Sequence, residues 1–281
     1  MLRKLLFLLA AVAFGDAVPP LRVAPQGALS PMQRFYMGSD PVTEVSSRRA
    51  GPVFTERDAG ALAFLAEQYG ARLDVLGVVL GRLGGGGSVP LSNSGVRQQL
   101  GRWVRAGWVR TEVALGSTWV TPTPWGMAVV GRRYAPWKLP VTKLAHTHAV
   151  SAMRLWYEAS PARVERYGSW VSERALFARR DRTDLRHVPD GALLHQGAST
   201  VWAVEVELTA KHRPCYAEEL FGRLDSSVVG VLYFVPPGLL ERVRRDVTDA
   251  VAKTGHSGLG LDVRVLPSVP GVSYCGQGIQ S

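Results

Sequence analysis

The chain has 281 residues, of which 46% are hydrophobic and 20% charged, so it is long enough for two modest globular domains and is neither a coiled coil nor a low-complexity chain. Its formal net charge of +10 favours a polyanionic partner, and nucleic acid is the first candidate. The two cysteines are far apart and form no zinc motif, and neither a GxxxxGK[ST] phosphate loop nor a Gly-x-Ser-x-Gly nucleophile motif occurs.

The N-terminal segment, residues 1–53, is predicted to be a signal-like or disordered extension followed by a linker. It has a basic start and an apolar run from Leu5 to Phe14, as a secretory signal does, but it lacks an Ala-x-Ala cleavage motif. The run is too short to span a bilayer as a helix, so we expect no membrane association. We predict a cytoplasmic protein because the rest of the chain has the character of a DNA-associated protein. Export, a disordered arm and a start site assigned too far upstream are the alternatives.

The next segment has the element order of a winged helix-turn-helix. Thr55 is a predicted N-cap, and apolar residues at helical spacing follow it and recur over 72–83. A third helix is predicted to begin at Ser92 or Ser94. Two alternating runs joined at Leu115-Gly116-Ser117 then predict a β-hairpin, and a short closing helix follows within 122–133.

The third predicted helix has the composition of a DNA-recognition helix. No acidic residue occurs from Ser92 to Thr111. Arginines pair with phosphates and glutamines bond base edges. The residues that we expect to contact DNA are Arg97, Gln98, Arg102, Arg105 and Arg110, and Gln99 is a further candidate. The alternative is a solvated basic face on a protein–protein module. Trp103 and Trp108 fit the apolar periodicity and are predicted to lie in the core.

The C-terminal half alternates helices and strands, which predicts a mixed sheet with helices on its faces and an α+β fold overall. The first helix is predicted from Thr142 or Lys143 to Glu158. It carries His146 and His148, which do not share a helix face and are expected to be structural. Later strands are predicted over 163–171, 188–194, 201–209, 228–235 and 261–266, and later helices over 214–226 and 239–253.

Acidic residues interrupt two of these apolar strands. Asp190 lies in the first, and Glu205 and Glu207 lie in the second, where alternation places both on one strand face. Buried carboxylates are costly unless a metal ion, basic side chains or helix N-termini compensate them. This cluster is therefore a candidate site.

The predicted order of strand, strand, helix and strand, together with these acids, resembles the PD-(D/E)xK nuclease fold, whose carboxylates bind Mg²⁺. Asp190, Glu205 and Glu207 are the candidate metal ligands, and Glu173 is an additional upstream acid. The motif requires Lys where this chain has Glu207, and Lys211 lies two strand steps further on. Three interpretations are open: a metal site with a relocated Lys211, a degenerate nuclease that only binds DNA, and surface acids on an edge strand.

Residues 54 to 267 resemble the replication-relaxation family of actinobacterial plasmids, integrative elements and phages. The resemblance rests on many short segments in order: FTERDAGALAFLAEQYG, GVRQQLGRWVRAGWV, WVTPTPWGMAVVG, LAHTHAVSAMRL, SWVSERAL, VPDGALL, VWAVEVELTAK and VVGVLYFVPP. It implies a winged helix joined to a nuclease-like α/β domain and a role in plasmid replication or DNA relaxation. By carry-over, its acidic positions match Glu173, Asp190, Glu205 and Glu207.

The sequence thus predicts a winged helix-turn-helix over 54–137, a restriction-endonuclease-like α/β domain over 138–270 and a flexible tail over 271–281. The predicted function is that of a mobile-element protein that binds double-stranded DNA in replication, relaxation or transfer, with Mg²⁺-dependent nicking as one form of it. Other replication or transfer proteins and a second copy of the chain are further candidate partners. The alternative is a winged-helix transcriptional regulator whose C-terminal domain is inactive and serves dimerisation or sensing.

Overall fold

The structure is a computed structural model that describes residues 53–85, 89–138, 140–179, 187–195, 198–209, 220–224, 226–256 and 258–274. It is a mixed α/β structure with a three-stranded sheet in the N-terminal half and a five-stranded sheet in the C-terminal half. The signal-like extension and Lys211 lie outside the described residues, as does most of the helix predicted over 214–226. Within the described ranges, no helix is both long and apolar enough to cross a membrane.

The N-terminal half follows the predicted element order. Helices α1 (Glu56–Glu67), α2 (Leu73–Leu83) and α3 (Asn93–Arg105) precede the hairpin strands β2 (Val109–Ala114) and β3 (Ser117–Pro122), and helix α4 (Pro124–Val129) follows them. The two-residue strand β1 (Ala71–Arg72) pairs with β3, so that β3 is central in this sheet. Leu115 and Gly116 both have positive φ, as a tight hairpin turn with the right twist requires.

Helix α3 begins where the sequence predicts, with the Ser92 side chain accepting a bond from the Gly95 amide. Its apolar side chains pack into the core of the N-terminal half together with α1 and α2. Trp103 and Trp108 are buried in this core, as predicted.

The C-terminal half begins with a 3₁₀ turn (Val141–Lys143) and helix α5 (Leu144–Glu158). Its remaining elements are α6 (Pro161–Tyr167), β4 (Ser169–Ser172), α7 (Glu173–Arg179), β5 (Gly191–Leu194), β6 (Val201–Val206), β7 (Val228–Val235), α8 (Leu240–Lys253) and β8 (Gly260–Val265). The sheet order is β4-β5-β6-β7-β8; β4, β5 and β6 are antiparallel neighbours, and β7 and β8 continue in parallel with β6.

The strand alternation read from the sequence holds in this sheet. Val204 and Val206 pack with α5 on one face, whereas Ala203 packs with α8 on the other. By the same alternation, Glu205 belongs to the face of Ala203. The predicted near-continuous apolar strand is β7, which is covered by helices on both faces.

The prediction of a strand over 163–171 is wrong for the first part of that range. Residues Pro161–Tyr167 form helix α6, because the Ser160 side chain caps the Arg163 amide and Pro161 suits the first helical position. Gly168, with φ 98°, ends this helix, and only Ser169–Ser172 form a strand.

The two halves are joined by side chains that bond across their boundary. Buried Arg174 of α7 donates to the Ala66 carbonyl at the end of α1 (2.8 Å). Arg154 of α5 donates to Glu67 (2.8 Å), and Arg82 of α2 donates to the Leu155 carbonyl (2.7 Å).

Residues 266–274 return from β8 to the N-terminal half. Val269 is part of that half's core, with Val272 and Tyr274 packed against it. The Ser273 amide donates to Asp74 (3.0 Å), and its carbonyl accepts from His148 (2.9 Å). The first residues of the predicted tail, 271–274, are thus packed on the N-terminal half.

Asp58 is the buried polar centre of the N-terminal half. Its carboxylate accepts bonds from Trp103 (2.8 Å), Gln99 (2.5 Å) and Arg102, and it closes a capping box with Thr55. Burial alone would raise the pKa of Asp58, but the bonds from Trp103 and Thr55 and the charge of Arg102 hold it below its ordinary value.

Replacing Asp58 by Ala should lower the free energy of unfolding by about 3–5 kcal/mol, because a buried ion pair loses one partner and α1 loses its cap. Because the pKa of Asp58 is lowered in the fold, its contribution exists above the unfolded value of about 3.9 and disappears as pH falls through the folded value. Urea unfolding at neutral and acid pH measures both effects. Exposed Glu56 of the same turn is the control: Glu56→Ala should cost under about 1 kcal/mol. An equal loss in both variants would contradict the role of Asp58.

Candidate functional site

A cavity of about 420 Å³ lies where the two halves meet. The end of α1, the start of α5, and the strand ends of the C-terminal sheet form its wall. The charged or titratable side chains that line it are Glu67, Tyr69, Lys143, His146, Glu173, His187, Asp190, Glu205, Glu207 and Tyr233. All four carboxylates that the sequence singled out are among them.

Asp190 and His146 cap the end of strand β6. Strand β5 begins at Gly191 opposite Val204, so the ladder with β5 stops before the Val206 peptide. The Asp190 Oδ2 accepts from the Val206 amide (2.8 Å), and the His146 Nε2 donates to both the Val206 carbonyl and Asp190 Oδ2 (3.1 Å each). The acid at position 190 therefore replaces a missing backbone partner.

The pKa of His146 depends on this arrangement. Burial alone would lower it, but the bond and charge of Asp190 and the bond to Val206 outweigh burial and raise the pKa above its ordinary value. His148, two residues on, is buried elsewhere beside Arg72, and burial together with that charge lowers its pKa. The predicted structural role thus fits His148, whereas His146 belongs to the cavity.

Glu205 and Glu207 are both buried at the cavity wall, with 6% and 8% exposure. Glu205 Oε1 lies 2.6 Å from His187 Nε2, so a histidine stands beside this acid too. The Glu207 amide still donates to the Phe234 carbonyl of β7 (2.9 Å), although β6 ends at Val206. This bond holds Glu207 next to the strand, at the residue that the resemblance to the nuclease motif aligns with a lysine.

Glu173, the first residue of α7, lines the cavity together with Tyr69 of the N-terminal half. Burial and the nearby charge of Asp190 raise the pKa of Glu173, against the opposing charges of Lys143 and His146. An acid at this position therefore holds its proton more readily than an exposed glutamate.

The predicted DNA-contacting residues divide into two groups. Arg97, Gln98 and Arg105 are exposed on α3. Arg102 is paired with Asp58, and Arg110 donates to Thr121 (2.9 Å) and to the Trp137 carbonyl (2.7 Å). Gln99 is buried against Asp58, so the prediction that it reads base edges is wrong.

Sequence reasoning missed Tyr69, Lys143, His146 and His187 as wall residues. Three of them lie on segments remote in sequence from the acidic strands, and only the packing of α5 on the sheet and of α1 against α7 brings them there. His187 precedes Asp190 by three residues, and this closeness in sequence is the signal that could have identified it.

The donor set is suited to a hard divalent cation, because carboxylate oxygens are the ligands that Mg²⁺ prefers. Asp190 and Glu205 each already bond a protein group, however. In the part of the chain that the structure describes, no three Asp, Glu, His or Cys residues are placed to hold one ion together. Binding of a cation would therefore require some of these side chains to exchange partners.

Comparison with protein-family models, with curated proteins and with solved structures found no match to this chain.

Replacing Asp190 by Asn should lower the pKa of His146, because burial remains while the negative charge is lost. Since the folded-state pKa of His146 is raised, its protonated form stabilises the fold fully below about pH 6.5, and this contribution is lost as pH rises through the higher value. An NMR titration of the histidine Cε1–H signals measures the shift. His148 is the internal control and should titrate as in the wild type. An unmoved His146 would show that the two side chains do not interact in solution.

Proposed function

We propose that this is a DNA-binding protein of a plasmid or other mobile element that acts in DNA replication, relaxation or transfer in the cytoplasm. In this proposal the N-terminal half is a winged helix that holds double-stranded DNA. The C-terminal half is a nuclease-like domain that nicks the bound DNA with Mg²⁺. The resemblance to the replication-relaxation family motivates the biological setting, and the geometry below supports the biochemical part.

The element order of the N-terminal half supports a winged helix. Three helices precede an antiparallel hairpin, and α3 packs on α2 through its apolar face, leaving its opposite face exposed. That exposed face carries Arg97, Gln98 and Arg105 without an acid, which suits a helix that enters a major groove. Arg102 and Arg110 serve mainly to fix this half, through Asp58 and through Thr121.

The observation that carries the nuclease-like proposal is the convergence of Glu173, Asp190, Glu205 and Glu207 on one cavity. These acids come from four separate positions in the sequence and from different elements. The antiparallel run β4-β5-β6 followed by the parallel strand β7 also agrees with the strand arrangement that the PD-(D/E)xK resemblance implies. An edge strand is not involved, because β6 lies between β5 and β7.

The proposal takes Asp190, Glu205 and Glu207 as the residues that would hold Mg²⁺, after Asp190 and Glu205 exchange their present protein partners. When bound, the ion would supply activation of a water molecule and neutralisation of charge at a phosphodiester. The chain itself supplies His146, which orients Asp190, and Lys143, a cation at the rim of the same cavity. Lys211, the candidate for the lysine of the motif, lies outside the described residues.

A second candidate function is a winged-helix regulator whose C-terminal half binds without cutting. The specific observation in its favour is Glu207 at the position of the motif lysine, together with the absence, among the described residues, of a three-residue metal group. This candidate predicts a palindromic site, a dimeric protein and no nicking with any metal ion.

Arg97→Ala and Arg105→Ala should each weaken binding to duplex DNA and lower the magnitude of the salt slope, log Kd against log salt, by about 1. The reason is the loss of a phosphate partner on the exposed face of α3. Fluorescence anisotropy over a salt series provides the measurement. Arg245→Ala, which removes an exposed arginine from α8, is the matched control. If all three variants lose affinity equally, α3 does not have the proposed role.

Purified full-length protein should nick supercoiled plasmid with Mg²⁺ or Mn²⁺, and Asp190→Ala should abolish the nicking. Asp249→Ala, which removes an exposed acid from α8, should leave it unchanged. Gel electrophoresis of the nicked circle measures the rate. Activity retained in Asp190→Ala would indicate a contaminating nuclease. No activity in the wild type, with DNA binding intact, would favour the regulator.

A further inference from the structure

The segment that joins the two halves is basic and free of acids. No acidic residue occurs from Val113 to Tyr157, a stretch that contains β3, α4 and most of α5. Between α4 and α5 it carries Arg133, Lys138 and Lys143, and all three of these cations are exposed. A surface with several cations and no acid attracts the phosphates of a nucleic acid.

The same segment brings an aromatic ring to the cavity. Trp137, Thr142 and Lys143 all line it. The Trp137 carbonyl accepts from Arg110 of β2 (2.7 Å), so the hairpin holds the backbone at this point. The centroid of the Trp137 ring lies 5.1 Å from that of Tyr69, a second ring in the cavity wall. Cations at the rim thus stand next to aromatic side chains.

The wall of the cavity is suited to a nucleobase and not to a phosphate. Carboxylates that line it repel phosphate, and they accept hydrogen bonds from the N–H and amino groups of a base, as acidic side chains do at base edges. The cavity volume of about 420 Å³ falls within the range of small-ligand pockets, roughly 300–1,000 Å³. We therefore expect a base inside the cavity and phosphates at its cationic rim.

A buried donor in the cavity wall lacks an acceptor. Gln68 lines the cavity and is 4% exposed, and its Nε2 has no hydrogen-bond partner among the described residues. A buried amide donor without a partner costs free energy, so such groups are rare in folded proteins. The carbonyl oxygen of a nucleobase is an acceptor that would satisfy it.

An aromatic ring in a cavity wall is accessible only to an unpaired base. In a duplex both faces of each base are covered by its neighbours, whereas a base of a single strand can place one face on an aromatic side chain. Stacking on Trp137 therefore selects single-stranded DNA. Such stacking, combined with a cationic path for the backbone, is a general means of binding a single strand.

We propose that the cavity and its rim, formed by Trp137, Lys138 and Lys143, bind unpaired DNA. One base enters the cavity and stacks on Trp137, while Lys138 and Lys143 contact phosphates of the same strand. The protein then has two DNA sites, one for the duplex on α3 and one for a single strand at the cavity. This inference rests on the proposed function, because it takes DNA as the ligand and adds the unpaired strand as the form that the cavity binds.

Fluorescence anisotropy of a labelled short oligothymidylate, which does not pair with itself, tests this site on the full chain. Trp137→Leu should weaken the binding by about fivefold or more, because a stacked base is lost, and should leave the salt slope unchanged. Lys143→Ala should weaken the binding and lower the magnitude of the salt slope by about 0.7, because one phosphate contact is lost.

Two variants are matched controls. Trp125→Leu removes a tryptophan of α4 that is 52% exposed and does not line the cavity, and Arg245→Ala removes an exposed cation of α8. Neither should change the affinity for oligothymidylate. Arg97→Ala distinguishes the two sites, since it should weaken duplex binding and leave the affinity for oligothymidylate close to that of the wild type.

The outcomes separate this inference from the proposed function. Equal oligothymidylate affinity in Trp137→Leu and the wild type would overturn the inference. If Trp137→Leu does not fold, the exposed Lys143 decides, and an unchanged salt slope in Lys143→Ala would overturn the inference. Wild-type protein that binds duplex but not oligothymidylate would overturn it and leave the proposed function intact. Wild-type protein that binds neither would overturn both.

Discussion

The unequal lengths of two neighbouring strands are the constraint on which the site depends. Strand β6 continues past the point where β5 begins, so the Val206 peptide is buried without a ladder partner from β5. A buried peptide group without a bond costs free energy comparable to a lost hydrogen bond. Asp190 satisfies its amide and His146 its carbonyl. The fold therefore requires an acid and an imidazole at the place where the other carboxylates converge.

Buried charged side chains also determine how the two halves meet. Arg154 is paired with both Glu67 and Glu158 (2.8 Å each), and Arg174 neutralises the carbonyl end of α1. These long side chains cross from one half to the other, so the boundary is polar. Because buried pairs fix geometry more than they add stability, we interpret these contacts as setting the orientation of the halves around the cavity.

The sequence was a good guide wherever a local rule decided the structure. Thr55 and Ser92 begin their helices as predicted, and the alternation in β6 holds for Val204 and Val206. The prediction of secondary structure failed where a helix cap outweighed the strand-like alternation of the sequence, as in the helix that Ser160 caps. Of the residues that line the cavity, only the acids could be predicted from the sequence, because Tyr69 and His146 reach it through packing between elements far apart in the chain. Their contribution carries no periodic or spacing signal.

The return of residues 266–274 to the N-terminal half has a consequence for the order of folding during synthesis. Val269 completes the core formed by α1, α2 and α3, and Ser273 bonds Asp74 at the start of α2. Domains generally fold from the N-terminus as they leave the ribosome. Here the first half to emerge cannot reach its final packing until the last described segment has been made. The two halves are therefore interdependent folding units, although each has its own sheet.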